Sequence, residues 1–335
     1  MSKKDVLLPF EKNPFVLAYQ NLAFPMGIIQ SNTHDDITPW LASKYINCRY
    51  HRRNVFDICI TDNWFCVDSK LFFQRINLSK DSYSNLSIDY IDLMRKIISS
   101  DCYPYGMYNE QWIHGKASHK KSYFLHDFLL IGYSDEKQVF YSVGYLSDGK
   151  FQRFEIPYGS MRKALGSIKE QNVSFCLFKF NPESPYIFNK EIFIQELYDY
   201  INSTTSVKVF RVDIYFGMQA ICEMAKDFLI DAEQKQRIDN RYLRALMEHK
   251  FLMVKRIQYL NNQFDLDLSA IKKSAIQVHK MGETIHLLGI KYSITREFSI
   301  ANRIVELIDK MLILEAEYLP LLYDRVKNAQ EDGVL

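Results

Sequence analysis

Residues 124–156, FLHDFLLIGYSDEKQVFYSVGYLSDGKFQRFEI, have the clearest structural pattern in the N-terminal half of the chain. Three apolar runs, at 124–133, 138–146 and 151–156, alternate with the polar turn sequences SDEK and SDGK. Short apolar runs separated by such residues are typical of β-hairpins. The stretch therefore predicts an antiparallel meander of three strands.

The segments on either side of this meander predict a mixed α/β region. Thr38 and Pro39 are residue types that start helices, so we predict a helix over 39–47. A second predicted helix, over 88–99, has apolar residues at helical spacing. Further predictions are strands at 55–61, 103–108 and 173–180, a loop at 114–121 and a helix at 160–168.

The chain after residue 185 has the pattern of a helical bundle. Residues 181–185, NPESP, contain two prolines in five residues, which interrupt regular structure. Beyond them, apolar residues recur three to five positions apart. We predict helices at 190–202, 218–229, 236–263, 269–290 and 298–326. Two domains are therefore expected, an α+β domain over 1–185 and an α-helical domain over 186–335.

The overall composition excludes several classes of protein. The 335 residues are 47% hydrophobic and 24% charged, which is ordinary for a globular protein and excludes intrinsic disorder. A net charge of +2 argues against nucleic-acid binding, which usually needs a clustered basic face. No stretch reaches the ~18 apolar residues of a membrane helix, and the N-terminus lacks the apolar core of a secretion signal. We expect a soluble protein of the cytoplasm.

The cysteines and histidines do not predict a metal site. The cysteines, at positions 48, 59, 66, 102, 176 and 222, form no CxxC pair. They are too sparse for a disulfide scaffold, so free thiols in a reducing compartment are expected. His114, His119 and His126 have spacings that fit no single helix face. We therefore predict no metal.

The segment His126–Tyr133, followed by a turn and the strand at 138–146, resembles the histidine-bearing hairpin of papain-like folds such as the bacteriocin-processing peptidases. More broadly, the chain resembles papain-like proteins related to the N-terminal domain of the butirosin biosynthesis protein H. Such proteins are found beside non-ribosomal peptide and related thiotemplated assembly genes. The other matching segments are Pro39-Trp40-Leu41, Tyr45-Ile46, Gly149-Lys150, Ile238-Asp239, Arg241 and Glu248-His249-Lys250.

This resemblance implies an accessory acyl or aminoacyl transferase that acts on a carrier-protein thioester. It implies no cofactor beyond the phosphopantetheine arm of that carrier. His126 is the implied catalytic base, and Cys48 and Asp127 are the candidate nucleophile and orienting carboxylate. The chain departs from the family pattern, because the strand at 141–145 lacks the expected carboxylate. A proline and a tryptophan also stand where the family has its cysteine, at the N-terminus of the first predicted helix.

Three interpretations of the chain stay open. Cys48 follows the predicted helix, where the helix dipole opposes thiolate formation, and Cys102 lies in a predicted strand. Asp127 is expected to face the opposite side of its strand from His126. His126 would then deprotonate an acceptor amine directly, or the protein is an inactive papain-like scaffold that binds a carrier protein, a peptide or an assembly-line enzyme. A cysteine peptidase that uses Cys48 is the third reading.

Further residues are candidates for contact with a substrate or partner. The lysines of the loop before His126 suit an acidic carrier protein, although an ordinary solvated loop is the simpler explanation. Arg241 and Glu248 share a helix face with Asp239 nearby, which is also typical of an ordinary solvated face. The candidates are Trp40, Tyr133, Lys116, Lys120, Lys121, Asp239, Arg241 and Glu248. No nucleic-acid or membrane partner is expected, and a homodimer is left open.

Overall fold

The strands predicted from residues 124–156 lie within an antiparallel sheet. The structure is a computed structural model. It describes residues 5–52, 55–59, 69–79, 89–170, 174–207, 213–236, 238–264 and 266–331. Contacts divide the chain into two units. The sheet unit comprises the described residues of 1–34 and 63–184, and the helical unit comprises those of 35–62 and 185–335.

The described helices and strands are numbered here in chain order. They are β1 (Asp5–Leu7), α1 (Gln20–Asn32), α2 (Thr38–Ala42), β2 (Arg49–His51), β3 (Val55–Asp57), α3 (Ser69–Phe72), β4 (Phe73–Ser79), α4 (Tyr90–Ser99), β5 (Cys102–Asn109), a 3-10 turn (Glu110–Trp112), β6 (Leu125–Ser134), β7 (Val139–Tyr145), β8 (Phe151–Pro157), α5 (Tyr158–Gly166), β9 (Ser174–Phe180), α6 (Lys190–Asn202), β10 (Ile214–Phe216), α7 (Gly217–Glu233), α8 (Arg241–Gln263), α9 (Ser269–Thr295) and α10 (Phe298–Glu331).

The sheet unit is built on strands in the order β4-β9-β5-β6-β7-β8, with β1 paired to β6. Every described pairing in this sheet is antiparallel. The predicted meander corresponds to β6, β7 and β8 and is confirmed. In the register of β5 and β6, Tyr108 lies opposite His126 and Asn109 lies opposite Leu125. The 3-10 turn that follows β5 therefore begins beside the first residues of β6.

Helix α1 is the main element that the sequence analysis did not predict. Its buried residues include Leu22, Ala23, Phe24, Met26, Ile28 and Ile29. Because apolar residues lie on every face, no stripe with the helical period distinguishes this helix. Pro25 within it is also a residue type that usually interrupts helices. The ring of Phe24 packs edge-on against Tyr105 of β5, with 6.1 Å between ring centroids, so α1 contributes to the core over the sheet.

The helical unit contains α2 and α6–α10 together with a three-stranded sheet of order β10-β2-β3. Helix α9 packs against both α8 and α10, and α10 also contacts α6 and α7. The segment 35–62 was predicted as part of the N-terminal domain, but the structure groups it with 185–335. The division after Ser184 falls within the predicted NPESP linker.

Several predicted bounds differ from those of the structure. The helix predicted over 39–47 ends at Ala42, and Tyr45 has a φ of 58°, which is incompatible with a continuing right-handed helix. Helix α8 begins at Arg241 rather than at 236, and α9 and α10 extend beyond their predicted ends. Residues 60–61, 88 and 173, at the ends of predicted elements, lie outside the described residues.

No helix within the described part of the chain combines the length and the apolar composition needed to cross a membrane. The long helices α9 and α10 instead have buried apolar residues at helical spacing on one face, while the other face carries charged residues together with exposed apolar ones such as Leu287, Ile294 and Ile313. This pattern is typical of helices that pack in a bundle.

Candidate functional site

His126 lies near the start of β6, as the sequence analysis predicted. Its side chain is 33% exposed, so one part of the ring is accessible while the rest is held by protein groups. The Phe124 ring lies beside it, with 5.4 Å between ring centroids. His126 and four residues linked to it by polar contacts form what we call the His126 cluster. These residues are Glu110 and Asp127, which contact the imidazole, and Lys116 and Gln20, which contact those two carboxylates.

Glu110 is the closest partner of His126 and was not anticipated from the sequence. It opens the 3-10 turn after β5, where the side chain of Asn109 accepts a hydrogen bond from the backbone N–H of Gln111. Glu110 Oε1 lies 2.8 Å from His126 Nδ1. The cross-strand register of β5 and β6 creates this contact, and sequence spacing alone does not reveal it.

The ionisation of Glu110 determines how it acts on the imidazole. Burial works to raise the pKa of this carboxyl group, but the hydrogen bond with His126 and the charge of Lys116 outweigh it and hold the pKa below its ordinary value. An ionised carboxylate only accepts hydrogen bonds, so His126 Nδ1 must donate. In a neutral imidazole, Nε2 then carries the free lone pair.

Lys116 was predicted to lie on an accessible basic loop, and this prediction is wrong. The residue is only 5% exposed. Its Nζ donates to the backbone oxygen of Tyr145 at 2.7 Å and lies 3.5 Å from Glu110 Oε1. It also lies 5.1 Å from the centre of the Phe154 ring. Burial lowers the pKa of Lys116, although the charge of Glu110 opposes this shift. Lys116 therefore stabilises the cluster from within, whereas Lys120 and Lys121 of the same loop are exposed.

Asp127 contacts the imidazole, although alternation along the strand predicts that it faces away. Its Oδ1 lies 3.4 Å from His126 Nε2. Gln20 Nε2 donates to the same carboxylate oxygen at 2.8 Å, and Gln20 Oε1 accepts from the backbone N–H of Tyr145 at 3.0 Å. The Gln20 amide thereby joins the start of β6 to the end of β7.

Gly144 makes room for this amide. Its φ is +151°, a value that side-chain-bearing residues rarely adopt, and a Cβ built on it would lie 2.6 Å from Gln20 Oε1. Among the described residues, the first helix begins at Gln20, whereas the sequence analysis predicted it near Pro39. The resemblance places the nucleophile at Pro39 and Trp40, and Gln20, which begins the first described helix, has an amide rather than a thiol.

The orienting carboxylate was expected on the strand after the turn, which is β7. That strand instead has Ser142, which is buried and donates to the backbone oxygen of Leu129 at 2.8 Å. Glu110, in the turn that follows the other neighbouring strand β5, contacts the imidazole instead. The imidazole therefore has a carboxylate partner, but a different one from that implied by the resemblance.

Cys48 belongs to the helical unit, whereas His126 belongs to the sheet unit. The thiol has no exposed surface and lies 3.4 Å from the backbone oxygen of Gly217. Burial raises the pKa of Cys48 to about 12. Because the thiolate is the nucleophilic form, these features argue against catalysis by Cys48. Burial also raises the pKa of Cys102, which is partly exposed at the start of β5. Cys66 lies outside the described residues.

Trp40 and Tyr133, both predicted to contact a substrate or partner, are buried. Trp40 is 3% exposed and packs edge-on against Tyr45 in the helical unit. The hydroxyl of Tyr133 lies 2.9 Å from Ser99 Oγ, and Arg95 lies over its ring. These contacts give both residues a structural role in the core of their own units.

The predicted polar face on α8 separates into two ion pairs. Arg241 Nε donates to Asp239 at 2.9 Å, and this pair is partly exposed to solvent. Glu248 is 4% exposed and accepts from Arg244 Nε at 2.8 Å. Arg241 and Glu248 therefore have different partners, and Glu248 is not part of a solvated face.

The two residues after Glu248 belong to a buried polar network of the helical unit. Lys250 Nζ and the hydroxyl of Tyr200 each donate to Glu315 Oε2 at 2.8 Å. His249 Nε2 lies 2.7 Å from the backbone oxygen of Ile46, and burial lowers the pKa of His249 well below its ordinary value. This network connects the segment around Cys48 to the helical bundle.

Metal ligation has no support among the described residues, because they contain no group of three or more His, Cys, Asp or Glu side chains placed to hold an ion. His114 and His119 form an edge-to-face ring pair at 5.4 Å between centroids.

Comparison of the sequence with protein-family models and with curated proteins found no match. The chemistry of the His126 cluster therefore has to be argued from its own geometry.

Proposed function

We propose that the sheet unit is a papain-like domain that transfers an acyl or aminoacyl group from a carrier-protein thioester to an amine, with His126 as the general base. The observation that carries this proposal is the 2.8 Å contact between Glu110 Oε1 and His126 Nδ1. A buried carboxylate orients the imidazole and stabilises the cation that forms when the ring takes a proton. The partial exposure of His126 leaves access for a reacting group.

The proposed reaction balances without a nucleophile from the protein. The amine nitrogen attacks the thioester carbonyl carbon, and His126 Nε2 takes the proton that this nitrogen loses. The tetrahedral intermediate then collapses with cleavage of the carbon–sulfur bond. The imidazolium returns the proton to the departing pantetheine thiolate, so the products are an amide and a free thiol. The phosphopantetheine arm is the substrate handle, and no further cofactor is needed.

Two observations support a route that uses the imidazole alone. Cys48 is buried with a strongly raised pKa, and the first helix begins with the amide of Gln20 rather than with a thiol. An acceptor amine supplies its own nucleophile, which makes a protein thiol unnecessary. We place the reaction in the cytoplasm, where carrier-protein thioesters and free cysteines persist under reducing conditions.

The alternative proposal is a catalytically inactive papain-like scaffold that binds a carrier protein, a peptide or an assembly-line enzyme. The specific observation in its favour is that the polar side chains of the His126 cluster are paired with one another. Asp127 Oδ1 lies 3.4 Å from His126 Nε2, the nitrogen that a base must use, and Gln20 holds that carboxylate in place. Under this alternative the polar groups stabilise the fold and have no reaction partner.

Mass spectrometry of the reaction separates these proposals. The wild type, His126→Ala, Glu110→Gln and Cys48→Ala are incubated with acyl-pantetheine thioesters and a panel of amines. We expect amide product without a covalent protein adduct. Loss of His126 should lower the rate roughly a hundredfold or more, which is typical of a general base. Glu110→Gln should also lower it, because an amide stabilises the imidazolium less than a carboxylate does.

The Cys48→Ala variant is the control for the thiol. It should retain the wild-type rate, whereas a covalent adduct lost only in Cys48→Ala would contradict direct base catalysis and support a cysteine enzyme. Absence of both product and adduct in every variant would leave the scaffold as the better account.

A further inference from the structure

An exposed aromatic surface lies next to the His126 cluster. Trp112 is 37% exposed and Phe124 is 46% exposed. The loop between them is closed by backbone hydrogen bonds, since Glu110 N–H donates to the oxygen of Phe124 at 2.8 Å and Lys120 N–H donates to that of Gln111 at 3.0 Å. The two aromatic residues are therefore neighbours at the base of one loop.

The Trp112 side chain is held in place rather than free to move. Its Nε1 donates to Ser167 Oγ at 3.0 Å, and Asn109 Nδ2 donates to the same oxygen at 3.0 Å. An exposed aromatic ring fixed by a hydrogen bond offers apolar contact area at a low cost in side-chain entropy. Such rings are enriched in protein interfaces.

Lysines lie beside Trp112 and beside Tyr123, the residue before Phe124. Lys163 Nζ lies 5.4 Å from the centre of the Trp112 ring, and Lys169 Nζ lies 4.9 Å from that of Tyr123. Lys120 and Lys121 add two exposed positive charges in the same loop. The acidic residue Glu170 accepts a hydrogen bond from the Tyr123 hydroxyl. We call Trp112, Tyr123, Phe124, Lys120, Lys121, Lys163 and Lys169 the aromatic–lysine surface.

The position of this surface connects it to the site. The Phe124 ring lies 5.4 Å from that of His126, so a partner bound there would reach the imidazole with a short flexible arm. The described exposed charges of the surface favour an acidic partner. Lysines also bind nucleic acid, which is therefore tested as the competing partner. The neighbouring Arg162 is already paired with Asp89.

We propose that the aromatic–lysine surface binds an acidic carrier protein and presents its thioester arm to His126. This inference rests on the proposed function for the identity of the partner, but the binding itself does not require turnover. The lysines steer the acidic surface of the carrier, and Trp112 and Phe124 provide the apolar contacts that hold it.

Binding is measured by NMR titration of isotope-labelled protein with a phosphopantetheinylated peptidyl carrier domain of negative net charge. The indole N–H signal of Trp112 reports contact at the surface. We expect this signal to shift and the affinity to fall as ionic strength rises. In Lys163→Glu/Lys169→Glu the affinity should fall about tenfold or more, because charge reversal opposes steering. Lys273→Glu/Lys280→Glu, on the exposed part of α9, is the matched control and should bind like the wild type.

The possible outcomes separate this inference from the proposed function. An unchanged Trp112 signal would overturn the proposal that the aromatic–lysine surface binds the carrier domain. Equal affinity of the surface variant and the control would also overturn it. Tighter binding of a single-stranded RNA oligonucleotide than of the carrier domain would also overturn it. Carrier binding that is lost in the surface variant, without any amide product in the wild type, would support the surface and contradict the transferase.

Discussion

Substitution of Gly144 by alanine should weaken the sheet unit by about 2–5 kcal/mol. A side-chain-bearing residue at a φ of +151° is strained, at a cost of roughly 1–3 kcal/mol. The new Cβ would also lie 2.6 Å from Gln20 Oε1, so the Gln20 amide must move. That movement breaks its hydrogen bonds with Tyr145 N–H and Asp127, and each buried polar group left without a partner costs about 1–3 kcal/mol. The estimate allows for partial relaxation of the Gln20 side chain.

Urea unfolding, combined with hydrogen exchange of β6 and β7, measures this effect. Gly159→Ala is the control, because a Cβ there meets nothing within 4 Å, and its stability should stay close to the wild type or rise slightly. In a Gln20→Ala background the cost of Gly144→Ala should fall to the backbone strain alone. A Gly144→Ala protein within about 0.5 kcal/mol of the wild type would refute the argument, and so would an equal cost in both backgrounds.

Three further predictions concern the helical unit. Lys250→Met should lower the free energy of unfolding by about 3–5 kcal/mol because it leaves the buried Glu315 carboxylate without its cation, and Lys250→Met/Glu315→Met should recover part of the loss in urea unfolding. Burial raises the pKa of Asp57 from 3.8 to about 6. The protonated carboxyl group therefore stabilises the folded protein fully below its unfolded pKa, and this stabilisation is lost as the pH rises through about 6. The free energy of unfolding should fall between about pH 4 and about pH 7 by up to roughly 3 kcal/mol more in the wild type than in Asp57→Asn. Cys48 should resist iodoacetamide in the folded protein and react only after unfolding, while the partly exposed Cys102 and Cys222 react before it. Peptide mass spectrometry checks the order, and early labelling of Cys48 would contradict its burial.

The sequence predicted those parts of the fold whose signal is local. Turn residues mark the ends of β6, β7 and β8, and α6 follows the proline-containing linker with the predicted bounds of 190–202. Helix α1 was missed because burial on all sides removes the amphipathic period. The grouping of residues 35–62 with the helical unit depends on long-range packing, which no local pattern records.

The candidate site was predicted only in part for the same reason. His126 was recognised from its position in an apolar strand. Its partner Glu110 is 16 residues earlier and meets it only through the register of β5 and β6. Gln20 is more than a hundred residues from Asp127, and their contact depends on α1. Lys116 has the charge of a surface residue but is buried by contacts with Tyr145 and Glu110.

We expect Glu110 to hold the His126 imidazole with its proton on Nδ1, which is the tautomer that the proposed base needs. Two-dimensional NMR of the imidazole nitrogens at alkaline pH measures this tautomer directly, and the His126→Gln variant assigns the signal. We predict a protonated Nδ1 and an unprotonated Nε2 for His126 in the wild type, because Glu110 Oε1 accepts from Nδ1. If the proton is instead on Nε2, that nitrogen has no lone pair with which to accept a proton from an amine. This result would contradict the role of His126 as the general base.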